Sequence, residues 1–72
     1  MNPTAYVGTQ VAHYRAKANL TQLQLAHAIG LSGEDAGAAI SRLESGLQEP
    51  RLEKLIRIAE ALGVSLESLL PT

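Results

Sequence analysis

Apolar residues recur along the chain at helical spacing in five segments, and the pattern predicts an all-α protein. Val7, Val11, Tyr14 and Ala18 follow i, i+4, i+7, i+11 and gather on one inward stripe of a first helix, about residues 4–18. Thr4 or Asn2 can cap it, Pro3 suits its first turn, and Asn19 stops it. Thr21 with Gln24 three residues later makes a capping-box pattern, so a second helix is expected over about 21–29, ending at Gly30. Leu25 and Ile29 face inward on it, and the small Ala26 lets another helix approach closely. A third helix, about 33–45, must contain Ile40 and Leu43 and stop at Gly46. Its start is open: Ser32 can cap it with Asp35 completing a Ser-x-x-Asp box, or Asp35 is itself the cap. Glu49-Pro50 turns the chain into a fourth helix over 52–62, with Leu52, Leu55, Ile58 or Ala59 and Leu62 as its apolar face and Gly63 as its exit. Ser65 caps a last short helix, 66–70, which Pro71 follows. With no repeat, low-complexity tract or linker, residues 1–72 are expected to form one domain, a compact five-helix bundle.

Composition narrows this picture without changing it. A chain of 72 residues buries only roughly 60% of the surface its unfolded form exposes, so its core must be economical. Apolar residues make up 46%, yet Tyr6 and Tyr14 are the only aromatics, which points to aliphatic helix-to-helix packing. The absence of cysteine removes disulfides and thiolate metal sites, and the N-terminus lacks the basic flank and apolar run of a signal peptide. No stretch approaches the roughly 18 apolar residues that span a bilayer, so a cytoplasmic protein without membrane attachment is expected. Net charge is −1, but it is unevenly spread. Residues 1–33 hold Arg15 and Lys17 and no acid, whereas residues 34–72 hold four basic and seven acidic groups. Local steering of an anionic partner remains open to such a chain; avid, salt-tolerant binding does not.

The ordered set Leu20-Thr21-Gln22-Leu23-Gln24-Leu25-Ala26, Gly30 and Ile40-Ser41-Arg42-Leu43-Glu44-Ser45-Gly46 carries the most information. Val7-Gly8 and Arg15 precede it, and Pro50 and Leu62-Gly63-Val64-Ser65 follow. This set, running from about Val7 to Leu70, resembles the Xre/Cro-type helix-turn-helix transcription regulators, which include the small phage repressors. The resemblance implies a lambda repressor-like DNA-binding domain whose third helix reads base edges in the major groove of double-stranded DNA. Counted from the inward Ile40 and Leu43, the outward positions of that helix are Gly37, Ala38, Ser41, Arg42 and Ser45, with Ala39 at the margin. Arg42 is the residue able to grip guanine in bidentate fashion, worth about 1–3 kcal/mol of discrimination. Ser41 can meet a base or a phosphate, and Ala38 a thymine methyl, although these small residues equally suit a plain alanine-rich surface.

The same resemblance implies that Gln22 grips the DNA backbone with Thr21 beside it, and that Arg51, and less directly Lys54, reach phosphates or the minor groove. Solvated side chains are the alternative for each. Arg15 and Glu44 are implied to be an internal ion pair tying helix one to the end of helix three. One departure stands out: nine residues separate Gly30 from Ile40, about four more than the family pattern leaves, so either the third helix or the turn before it is extended.

Other chemistries have little support. His13 and His27 lie on different helices with no i, i+4 partner, so no metal is expected, and neither a catalytic constellation nor a cofactor loop is present. Glu34-Asp35 are read as helix-start residues, or as acceptors for a cytosine amine. The C-terminal leucines Leu66, Leu69 and Leu70 partly close the core and partly offer a dimer interface, since regulators of this size work as two-fold dimers. The expected function is sequence-specific DNA binding by a dimeric repressor on an inverted-repeat operator. The alternative is a protein-interaction module, for instance an antitoxin, whose partner is a toxin or the transcription machinery. No sensor domain is expected after Thr72, which leaves small-molecule induction without an obvious seat.

Overall fold

The computed structural model describes residues 2–71. Among them are four α-helices, α1 (Pro3–Lys17), α2 (Gln22–Ala28), α3 (Ala36–Glu44) and α4 (Leu52–Leu62), and a 3-10 turn over Leu66–Leu69. The fifth α-helix expected at 66–70 is therefore replaced by a tighter single turn. Four residues before a proline leave room for i to i+3 bonds such as Ser68 N–H to Ser65 O, 3.1 Å, and not for a sustained α ladder.

Caps set where the first two helices begin. Asn2, in extended conformation, accepts the Ala5 N–H at 2.7 Å, which decides the choice between Asn2 and Thr4. Thr21 and Gln24 form the reciprocal box, with bonds of 3.0 and 2.8 Å. Asn19 ends α1 in the left-handed region at φ 60°, so that the Leu20 N–H returns to the Arg15 carbonyl.

Helix α3 starts later than the Ser-x-x-Asp pattern suggests. Asp35 occupies its N-cap position, but ψ is 1° and its side chain makes no capping bond. A capping side chain needs the extended backbone that Asn2 and Thr21 have, with ψ of 158° and 166°. Gly33, at φ +94°, instead turns the chain so that the Ala36 N–H reaches the Gly33 carbonyl. The extra residues between Gly30 and Ile40 thus enlarge the turn and leave α3 short.

A single cluster of aliphatic side chains joins the elements: Val7 and Val11 from α1, Leu25 and Ala26 from α2, Ile40 and Leu43 from α3, Leu55 and Ile58 from α4, and Leu69. Two expectations about facing fail. Ala18 is exposed because it lies past the last turn of α1, and Leu52 is 59% exposed because Leu55, Ile58 and Ala59 already cover the inner face of α4. Helix α1 crosses α3 at Gly8, where a Cβ would stand 2.4 Å from the Leu43 carbonyl oxygen and 2.7 Å from that of Glu44. Only a residue with no side chain allows this approach. It fixes the C-terminal end of α3, and with it the exposed face that α3 turns outward. No helix among the described residues is long and apolar enough to cross a membrane.

Candidate nucleic-acid interface

Helix α3 buries Ala36, Ile40 and Leu43, which points the opposite side of the same short helix outward. Ala38, Arg42 and Ser45 are exposed there, and Ser41 and Ala39 are half-buried at its edges. Arg42 forms no ion pair or side-chain hydrogen bond among the described residues. The Ser45 hydroxyl donates to the Ser41 carbonyl at 2.9 Å, so its oxygen remains available to outside groups as an acceptor. Small side chains on either side of Arg42 leave it as the one long reach on this face.

Gly37 sits differently from the outward position that counting from Ile40 gave it. A Cβ there would lie 3.3 Å from the Leu23 backbone nitrogen and 3.4 Å from its Cα, so this glycine lets α2 and α3 pack closely. Leu23, 40% exposed, stands beside it. Spacing within α3 could not reveal that contact, because it depends on where α2 lies.

The flank of α3 that faces α1 and α2 is closed by a knot of polar bonds. Arg15 Nε donates to Glu44 Oε2 at 2.6 Å and its Nη2 donates to Oε1 at 3.2 Å, a two-pronged pair. Arg15 Nη1 donates to the Leu20 carbonyl at 2.8 Å. Gln22 Nε2 then donates to Glu44 Oε1 at 3.0 Å. Glu44 therefore holds α1 and the first turn of α2 to the end of α3, and one amide hydrogen of Gln22 is committed to it. Gln22 keeps a second amide hydrogen, and Thr21 is exposed beside it.

The opposite flank, toward α4, is open. Arg51, Lys54 and Arg57 line a cavity there and make no ion pair among the described residues. Arg51 and Lys54 were expected to meet phosphates; Arg57 was missed, although its i, i+3, i+6 spacing with them placed it on the same side of the helix. Gly8 was also passed over as a determinant of geometry, and its signal was a glycine inside a helical pattern. Glu34 and Asp35 are exposed on the enlarged turn.

The C-terminal leucines divide. Leu69 is fully buried in the protein's own core, so it is not available to a second copy. Leu66 and Leu70 are half-buried against that core. His13 and His27 are exposed, His13 edge-on to Tyr14 and His27 with its Nε2 3.4 Å from the Gly33 carbonyl.

A short outward helix braced by a second helix across its back is a helix-turn-helix. The chain belongs to the helix-turn-helix family, whose profile it matches over residues 11–69. Its fold is similar to that of the restriction-modification controller protein C.AhdI from Aeromonas hydrophila, with a TM-score of 0.82, 22% identity, and coverage of 93% of this chain and 96% of that one. It is similar to the P22 c2 repressor, solved in complex with a synthetic operator, with a TM-score of 0.77 and 31% identity over 89% of this chain and 91% of that one. The clp gene regulator ClgR from Corynebacterium glutamicum gives a TM-score of 0.82 and 29% identity, over 92% of this chain and 66% of that one. No curated protein matches the chain. By family, then, this is a DNA-binding transcription regulator.

Proposed function

We propose that the protein is a sequence-specific repressor that binds duplex DNA as a two-fold dimer, with α3 in the major groove of each half-site. The observation that carries this reading is Arg42: exposed and without an ion pair among the described residues, between small side chains, on a helix with its other side buried in the core. A major groove about 12 Å wide admits a single α-helix, and on this one Arg42 is the side chain long enough to meet base edges in bidentate fashion. Arg42 reads guanine, Ala38 and Leu23 supply apolar contacts, and Ser41 and Ser45 serve as adaptable partners. Thr21 and the free amide hydrogen of Gln22 hold the backbone on one side of the groove, and Arg51 with Lys54 hold it on the other.

For the dimer, the exposed apolar pair Leu52 and Ile56, one turn apart on α4, supports a two-fold contact better than the C-terminal leucines, since Leu69 is already spent on the core. The two reading helices of such a dimer lie about 34 Å apart on an inverted repeat. A protein-interaction module, such as an antitoxin, is the second reading, and the same two residues with Leu47, 78% exposed, favour it.

Fluorescence anisotropy on labelled duplexes separates these readings. DNA binding predicts an affinity that falls steeply between about 50 and 200 mM salt, with Gln22→Ala weakening every sequence alike and Arg42→Ala relaxing preference at one base pair per half-site. Salt-indifferent or absent binding would overturn the repressor reading.

A further inference from the structure

The open flank of α3 holds a cavity of about 260 Å³ between α3, α4 and the loop that joins them. Its floor is apolar, formed by Ile29, Leu43 and the small side chain of Ala39, which leaves the space unfilled. Arg51, Lys54 and Arg57 stand along its α4 wall. Glu49 and Glu53 also line it, so the local balance is one positive charge in excess, in a chain of net charge −1. The neighbouring flank offers a contrast: there Arg15 has its carboxylate at 2.6 Å, whereas the three cavity cations form no ion pair among the described residues.

An apolar floor with one positive charge in excess and no ion pair at one wall is complementary to a molecule with an apolar body and one anionic end. The volume lies just below the roughly 300 Å³ at which pockets for drug-sized ligands begin, which restricts the occupant to a small molecule. We infer that this cavity is a binding site for a small amphiphilic carboxylate, its apolar body over Ala39 and Leu43 and its carboxylate on Arg57 and Lys54. A phosphate ion would satisfy the cations and leave the apolar floor wet; an uncharged aromatic would do the reverse.

Resting on the proposed function, the site has a regulatory consequence. Lys54 is assigned both to this carboxylate and to a DNA phosphate, so the carboxylate and the duplex compete for it, and each weakens the other by the same factor. The seat for a small effector is then inside the helical fold itself, between the reading helix and its neighbour.

The test uses the full chain with phenylacetate as probe, and phenylacetamide and inorganic phosphate as controls, followed by amide chemical shifts. Phenylacetate is expected to shift the signals of Ala39, Leu43 and Lys54 with a dissociation constant below about 5 mM, at least about fivefold tighter than either control. Ala39→Leu, which fills the floor, and the exposed Arg57→Gln should each weaken it at least about fivefold, the second without changing the fold. Equal binding of the amide, no shift at about 10 mM, or unchanged binding in Arg57→Gln would overturn the site. Because these titrations contain no DNA, failure of the repressor reading leaves their outcome untouched. Saturating phenylacetate should then weaken duplex binding, and an unchanged duplex affinity would overturn the competition.

Discussion

The two flanks of α3 are built on opposite plans. Toward α1 and α2 every close approach is specified: Gly8 admits two backbone carbonyls, Gly37 admits the Leu23 backbone, and Glu44 accepts from Arg15 and Gln22 at once. Toward α4 the contacts are loose, an alanine leaves a cavity, and three cations form no ion pair among the described residues. The closed flank fixes where the outward face of α3 points. The open flank keeps positive charge available beside it, in a chain whose overall balance is acidic. A weakly anionic protein can in this way address a polyanion, because orientation is set by packing and attraction by a few unpaired cations.

Breaking the closed flank should have the largest effect. Gly8→Val forces a side chain into the Leu43 and Glu44 carbonyls, and we expect a loss of about 3 kcal/mol or more, a fall of roughly 15 °C in thermal midpoint. An unchanged midpoint would mean that α1 does not cross α3 there. Glu44→Ala strands Arg15 and frees Gln22; with Arg15 partly solvated the expected cost is about 2–4 kcal/mol. Ser41→Ala, on the outward face, serves as its control, and equal melting of the two variants would rule out a structural role for Glu44.

On the outward face the effects should move from stability to recognition. Arg42→Ala is expected to melt like the parent while losing about 1–3 kcal/mol of discrimination between preferred and altered duplexes. A stability loss without any loss of discrimination would assign that residue to the fold. The smallest change belongs to the open flank: Lys54→Gln should lower the slope of affinity against salt by about one counterion per half-site, about two for the dimer, and reduce binding to all sequences alike. A sequence-dependent loss there would contradict a phosphate-gripping role.

Where local chemistry decides structure, the chain was readable. The capping box at Thr21, the stop at Asn19 and the span of α4 all follow from side chains acting on backbone within a few residues. The start of α3 was not, because Asp35 caps only in an extended conformation and the glycine-bearing turn before it denies that. Nor was the fate of the last leucines, since periodicity cannot separate a residue that fills its own core, as Leu69 does, from one that meets a neighbour. Gln22 shows the same limit at the candidate site. Its position was legible, but its bond to Glu44 spans 22 residues and is created only when α3 docks beside α2.

Sequence recognition depends most on the exposed arginine of α3 meeting bases. Selection of bound duplexes from a random library, run in parallel with the native protein and Arg42→Ala, tests this directly. The native protein should enrich an inverted repeat with a guanine in each half-site, and the variant should lose preference at that guanine alone. Enrichment of no sequence, or of the same sequence by both proteins, would contradict it.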